Sequence, residues 1–402
     1  MRRYLSFFIL LVAATFVSLP LAAQEEKDDS TLVVSLLTCS PGQQTYELYG
    51  HTALRVRNAR DSYDIVYNFG AFSFDQPHFI WRFVLGECDY MLMPCPFGYF
   101  MAEYAYRGSS VIEQTLNLIP PESARLANAL ATTARPENCV YRYNIFRSNC
   151  TTKARDIIEE NVFGVVRYPA RSRRNTFRSI LHQFTNGHEW AREGNDLLLG
   201  ADVDTLITER DEMFSPIYMM WYADSAMIDG DVHGVRPLVA ERRELLAADP
   251  SRQQMERDSL PSFSLTPAQL GWGMLVIGLL IALWEWRRRR IFWPLDVVLM
   301  FFQGVGGVLL VFMALWSQHP AVASNWQVWV LNPLPLFFLP FVVRADLHRQ
   351  RFIYHAFAAG FLLLFVIVYA FLPQHFSQLI LPVALLLLSR AIVHLLVYRQ
   401  KA

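Results

Sequence analysis

Two residues carry the chemistry that can be read most directly from this chain, Cys150 and His51. Cys150 stands in Arg147-Ser148-Asn149-Cys150-Thr151-Thr152, where Ser148 and Asn149 are helix-capping residues and a helical stretch, Thr151 to Glu160, follows. At a helix start the unpaired amides and the positive end of the dipole favour a thiolate, and the same amides can hold an oxyanion. A free thiol has a pKa of about 8.5, so only a few per cent ionises at neutral pH unless a neighbouring imidazole assists. His51, in Leu48-Tyr49-Gly50-His51-Thr52-Ala53-Leu54, follows a glycine and opens a strand, which fixes a side chain more firmly than a loop. The pair reads as nucleophile and base. Each member also has a plainer reading, the cysteine as a small buried hydrophobe and the histidine as a satisfied structural residue.

The remaining chemistry-bearing motifs are absent. The chain has no HExxH, no GxSxG, and no CxxC spacing, so neither a metal nor another cofactor is expected. Its five cysteines, Cys39, Cys88, Cys95, Cys139 and Cys150, are an odd number, which in an exported domain leaves at least one thiol unpaired. Cys39 with Cys139, or Cys88 with Cys95, are the disulfide pairings to consider.

The elements that must position these residues read as an α+β domain. Thr31 to Leu37, Ala53 to Arg57, Ser62 to Phe69, Val111 to Leu118 and Val140 to Asn144 have strand character. Pro121 to Ala134, Thr151 to Glu160, Asn175 to Phe184 and Asp211 to Met227 have helical character. The histidine thus arrives early on a strand edge, and the cysteine late at a helix start.

The ends of the chain speak of a membrane. Arg2 and Arg3, an apolar run to Leu19, Pro20, and small Ala22 and Ala23 read as a cleaved secretory signal over residues 1–23, the alternative being a retained anchor. Five apolar stretches near 20 residues follow the soluble part: Pro267 to Trp284, Val297 to Trp316, Trp326 to Val343, Phe352 to Leu372 and Leu379 to Val397. Arg287 to Arg290, Arg344, Arg349, Arg351, Arg399 and Lys401 follow the first, third and fifth, whereas Ser317 to Asn325 and Pro373 to Gln378 hold no Lys or Arg. The positive-inside rule therefore places Gln24 to about Thr266 outside the cytoplasm and the C-terminus inside it. The expected organisation is a periplasmic domain over 24–250, a tether over 251–266 and a five-helix membrane bundle over 267–402. The formal net charge of zero gives no reason to invoke nucleic acid as a partner.

Several segments resemble a known family. Tyr49-Gly50-His51-Thr52-Ala53-Leu54-Arg55-Val56, Tyr67-Asn68-Phe69-Gly70, Asn149-Cys150-Thr151-Thr152 and Gly194-Asn195-Asp196-Leu197-Leu198-Leu199-Gly200 are similar to the N-terminal periplasmic domain of the Bacteroides lipoprotein N-acyltransferase family, Lnb. Ser148 departs from that pattern, which often has an acidic residue there. The order histidine first, cysteine later also resembles the circularly permuted papain-like folds of the NlpC and lecithin:retinol acyltransferase type. The resemblance implies an inner-membrane thiol acyltransferase that takes an acyl chain from a phospholipid onto Cys150, with His51 as base, and passes it to the N-terminal amine of a diacylated lipoprotein. A third polar residue should orient the imidazole. Asn68, on the next strand, is the choice, with Asp64 behind it; the other reading of Asn68 is a turn residue before Gly70.

Two rival functions remain open on the residues alone: a membrane-tethered peptidoglycan endopeptidase, and a non-enzymatic envelope scaffold in which Cys150 is structural. Arg167, Arg171, Arg173, Arg174 and Arg178 read better as a solvated helix face than as a lipid-phosphate site. Gln76 to Leu85, with Phe79, Ile80, Trp81 and Phe83, is an acyl-chain groove, an interfacial helix, or, more commonly for such runs, core. Arg390 and His394 lie one helical turn apart in the fifth span, either functional or snorkelling to the cytoplasmic surface.

Overall fold

The computed structural model describes residues 32–72, 77–170, 174–230, 234–261 and 263–398, so the signal expected over 1–23 lies outside the described residues. Ten strands are described: β1 (Leu32–Cys39), β2 (His51–Asn58), β3 (Tyr63–Ala71), β4 (Asp89–Pro96), β5 (Val111–Leu116), β6 (Val140–Arg142), β7 (Val165–Arg167), β8 (Met227–Asp229), β9 (Arg236–Pro237) and β10 (Val239–Leu246). The principal sheet is antiparallel, in the order β10-β5-β1-β2-β3-β4-β6, and β7-β8-β9 form a small second sheet. The helices of the soluble domain are α1 (Phe79–Leu85), α2 (Phe97–Arg107), α3 (Pro120–Thr133), α4 (Cys150–Asn161), α5 (Phe177–Phe184), α6 (Glu189–Leu198), α7 (Pro216–Ser225) and α8 (Pro250–Ser259).

Both faces of the sheet are covered, and side-chain alternation decides which residue faces which layer. Leu36, Leu54 and Phe69 pack with Ile158 of α4 and Leu126 and Leu130 of α3. Their neighbours Leu37, Ala53 and Val66 pack on the other face, with Phe100 and Tyr104 of α2. His51, two residues before Ala53, shares the α2 face, as does Asn68, two residues after Val66.

Five of the described strands escape the sequence pattern: the short β7, β8 and β9, with Met227 of β8 read as the end of a helix, and the longer β4 and β10. β4 carries Pro94 and Pro96 and no apolar alternation, and β10 reads Val-Ala-Glu-Arg-Arg-Glu-Leu-Leu, a composition that favours helix in isolation. β10 exists because it is the edge strand beside β5, where Arg243 reaches Glu113 at 3.0 Å. The stretch read as a tether instead contains α8. Asp249 accepts hydrogen bonds from the Ser251 and Arg252 amides, and Gln253 donates to the Gly108 carbonyl at the end of α2.

Among the described residues, five helices are long and apolar enough to cross a membrane: Pro267–Arg288 (α9), Trp293–Trp316 (α10), Trp326–Leu347, Tyr354–Phe371 and Ile380–Val397 (α13). The third consists of a short turn, Trp326–Trp329, and α11 (Leu334–Leu347); the fourth of α12 (Tyr354–Val368) and a short 3-10 turn. Arg390 and His394 do not snorkel. Both are buried, Arg390 between Glu285 and Asp296, and His394 Nε2 3.1 Å from Asp296 and Nδ1 3.2 Å from Asp346. The His355 ring stacks on His394 at 3.8 Å. Charges in an apolar layer persist only when paired; the paired groups tie four spans together, and the His355 stack adds the fifth.

The soluble domain sits on the outer loops of the bundle through α6 and the residues after it. Gln327 Nε2 donates to the Asp196 and Leu197 carbonyls, Asn325 Nδ2 to Leu197, and Gln374 Nε2 to Leu199. Glu193 accepts from the Gln378 and Leu379 amides, and the Gly200 and Ala201 amides donate to Ala321 and Ser324. Arg178, read as part of a solvated basic face, is buried here and holds Asp196, Asp204 and the Leu199 and Gly200 carbonyls together. Arg167 pairs with Asp229, and Arg171 and Arg173 lie outside the described residues.

Candidate active site

Cys150 is the first residue of α4, and the local sequence explains why the helix starts there. The Asn149 side-chain oxygen accepts from the Thr151 and Thr152 amides at 3.0 and 2.9 Å, while Thr152 Oγ1 accepts from the Asn149 amide at 2.9 Å. Asn149 Nδ2 donates to the Ile145 and Phe214 carbonyls, both at 2.8 Å, so this buried cap is fully bonded. Two of the helix-end amides expected to hold an oxyanion are therefore taken by the cap. The Cys150 amide stands outside it.

His51 is delivered by a glycine. Gly50 has φ +76°, and a side chain there would put Cβ 2.6 Å from the Cys39 carbonyl oxygen; only glycine lets the chain enter β2 with Cys39 opposite His51. Gly70 serves the cysteine. It lies at an irregularity of the β3–β4 pairing, and a Cβ there would be 3.8 Å from Cys150 Cβ and 4.0 Å from Tyr141 Oη. Cys150 comes from the α4 layer and His51 from the α2 face, and they meet at the end of β2, where Thr52 and Thr151 are linked through their hydroxyls at 3.1 Å.

His51 Nε2 lies 3.3 Å from Asn68 Oδ1, and Asn68 Nδ2 donates to Cys95 Sγ at 3.2 Å. With its nitrogen turned to sulfur, Asn68 offers the imidazole an oxygen, which only accepts. That places the proton on Nε2 and leaves Nδ1 free to take one. The ring also stacks on Tyr104, at 6.4 Å and 13°. Asp64 is not behind Asn68 as expected. It sits at the far end of β3, gripped by Arg55 Nε and Nη2 at 2.7 and 2.6 Å, with Arg55 also reaching Glu113.

Electrostatics couple the pair. Burial pushes the Cys150 thiol up, but the charge of His51, its hydrogen bond, and those of the Thr52 amide and Thr151 hydroxyl outweigh burial and bring the thiol below its ordinary value. Burial likewise opposes the charged imidazole of His51, while the Cys150 charge and the hydrogen bonds to Cys150 and Asn68 raise it above its ordinary value. Both shifts run toward a thiolate beside an imidazolium. Cys39, Cys88 and Cys95 are all pushed up by burial. All five cysteines are free, so neither pairing considered from the sequence forms.

The site opens into a cavity of about 580 Å³, within the range of roughly 300–1,000 Å³ usual for small-molecule sites. Its walls are aromatic, among them Tyr49, Phe72, Tyr90, Tyr104, Tyr143 and Phe184, with Glu47, Glu103 and Arg107 on the α2 side. Tyr141 went unnoticed in the sequence, and Asn195, though part of a stretch singled out there, was given no role. Tyr141 Oη is buried without a hydrogen-bond partner among the described residues, beside Gly70 and Cys150. Burial and the Cys150 charge both push that phenol up, so it stays a donor. Asn195 Nδ2 donates to Tyr49 Oη at 2.6 Å, linking the segment before His51 to the helix that docks on the membrane bundle. Only the clustering of tyrosines on either side of Cys150 hinted at the first.

Residues 21–183 match the family model described as the Lnb N-terminal periplasmic domain, and residues 258–401 match the Lnb transmembrane domain. The two matches together take in about three quarters of the chain. No curated protein and no solved structure matches it.

Proposed function

This chain belongs to the Lnb family, a multi-pass membrane protein with a periplasmic N-terminal domain, and on that premise we propose that it is a lipoprotein N-acyltransferase using a Cys150 thioester. One observation carries the reading: a helix-start thiol and a buried imidazole share an aromatic cavity in a domain hydrogen-bonded to the outer ends of the spans. A lipid ester can reach such a site from the bilayer surface.

In the first half-reaction the Cys150 thiolate attacks an ester carbonyl of a phospholipid. The tetrahedral adduct collapses with cleavage of the C–O bond, His51 gives its proton to the departing alkoxide, and a lysophospholipid leaves an acyl thioester on Cys150. In the second, the free α-amine of the N-terminal Cys of a diacylated lipoprotein attacks the thioester. Neutral His51 takes the amine proton at Nδ1, the thiolate leaves, and an amide is formed. Asn68 positions the imidazole by holding the Nε2 proton. The Cys150 amide and the Tyr141 hydroxyl are the donors for the oxyanion of both tetrahedral adducts. The Arg-rich loops support a C-terminus in the cytoplasm.

The test is to incubate the purified wild type and Cys150→Ser with phospholipid and a diacylated lipopeptide, followed by mass spectrometry of protein and peptide. An acyl adduct on wild-type Cys150 and an N-acylated peptide, both absent with the variant, are expected. A peptide unchanged by the wild type overturns the assignment and makes muropeptides the next substrate.

A further inference from the structure

The segment Phe79–Leu85, α1, is neither core nor ordinary surface. Ile80 is 78%, Trp81 57% and Phe83 46% exposed, three large apolar side chains on one seven-residue helix. Arg82, the only charged side chain of the helix, turns away to Asp89, at 2.5 Å, and Asp89 is held in turn by Arg142. A helix left this way in water would be a liability, and its apolar surface marks an interaction site.

Its surroundings say what covers it. The Trp81 ring lies 5.2 Å from Phe312, which is inside the second span and four residues before its outer end at Trp316, hence about 6 Å below that end at 1.5 Å per residue. The last three carbonyls of α1 each accept from a residue that follows the span, while the Arg82 carbonyl is closed by the Glu87 amide. Phe83 O accepts from His319 Nε2 at 2.5 Å, Val84 O from Ser317 Oγ at 2.8 Å, and Leu85 O from the Gln318 amide at 2.8 Å. Helix ends in an apolar layer require such partners, since no water is there to supply them. In sequence α1 is flanked by Phe72 on one side and Tyr90 and Met93 on the other, which are walls of the Cys150 cavity.

We propose that α1 is embedded in the leaflet of the bilayer that faces the soluble domain, and that acyl chains pass along it from the bilayer to the Cys150 cavity. The first half stands on the contacts above, and the second rests on the acyltransferase reading. The depth fits interfacial helices, which bury an apolar face by roughly 5–10 Å.

The experiment uses the full chain in nanodiscs containing a phospholipid with a diazirine in its acyl chain. After illumination, adducts are mapped by mass spectrometry, and thioester formation from bilayer phospholipid is measured in parallel. Adducts on the peptide spanning Ile80 to Phe83, but not on the equally exposed Tyr99 and Tyr106 of α2, are expected. Absence of lipid adducts on α1, or crosslinking of α1 to a second copy or another protein in their place, overturns the proposal even where the wild type forms the thioester. The double variant Ile80→Asp, Phe83→Asp should lose about tenfold or more of thioester formation from bilayer phospholipid, because a carboxylate in the apolar layer opposes insertion. Alkylation of its Cys150 by a small electrophile should persist, which separates failed insertion from failed folding. Transfer undiminished in this variant overturns the portal. Adducts on α1 in a wild type that forms no thioester leave the embedded helix standing and remove the acyltransferase reading.

Discussion

His51 Nε2 and Asn68 Oδ1 lie 3.3 Å apart, and the orientation of the Asn68 amide is set from outside the pair by Cys95 Sγ. An oxygen in that position favours the proton on Nε2, which leaves Nδ1 for the proton transfers proposed above. Asn68→Ala should lower single-turnover acylation by a part of the roughly 10²–10⁴-fold that a positioned base supplies, with little change in thermal stability. Turnover equal to wild type removes Asn68 from the mechanism.

The mutual shifts of Cys150 and His51 give a pH signature. Because the Cys150 pKa lies below its ordinary value, its rate of alkylation should reach a plateau at lower pH than that of an ordinary thiol. In His51→Ala the lowering cation is gone while the raising effect of burial remains, so the midpoint should move to higher pH. An unchanged profile would mean that His51 does not ionise Cys150.

Tyr141 separates oxyanion stabilisation from nucleophile activation. Tyr141→Phe should cost on the order of 10²–10³ in acyl transfer, the usual loss for one oxyanion donor. Alkylation of Cys150 forms no oxyanion and should be unaffected. Equal losses in both assays would assign Tyr141 to the thiol itself.

Arg178 holds the docking segment. Arg178→Ala leaves Asp196 buried without its cation, at a cost of about 3–5 kcal/mol. Faster hydrogen exchange in α6, measured by mass spectrometry, is the expected readout; protection equal to wild type would show that the docking does not depend on this residue.

Arg390 plays the corresponding part inside the bundle. Arg390→Leu takes the guanidinium from Glu285 and leaves Asp296 with His394 alone in an apolar layer, and should abolish the folded, detergent-stable protein, whereas Arg390→Lys keeps the charge and should retain part of it. Equal thermal stability of both variants would contradict a structural role for the network.

Much of this molecule was legible in one dimension. The five spans follow from apolar run length, because a hydrocarbon core imposes a minimum stretch and forbids unsatisfied backbone. The helix start at Cys150 follows from Asn149 and Thr152, since capping acts over three or four residues. The five strands found were the ones rich in β-branched or alternating residues, whereas β4, β10 and the short β7, β8 and β9 were missed, because neighbouring strands rather than their own residues hold them in their sheets.

What the sequence determined by itself is therefore local: which residues are reactive in type, where the cysteine's helix begins, and that the C-terminal third holds five apolar runs long enough to cross a membrane. What only the tertiary structure decided is pairing across distance. Asp64 belongs to Arg55 and not to Asn68; Arg178, Arg390 and His394 are buried partners of carboxylates and not solvated charges; α1 lies against the second span and not in the core. Periodicity and capping are properties of neighbouring residues and can be read along a chain. The partner of a buried charge, or of an apolar helix face, is set by which distant segments the fold brings within a few ångströms, and that is fixed only once the sheet, the docking segment and the spans have packed.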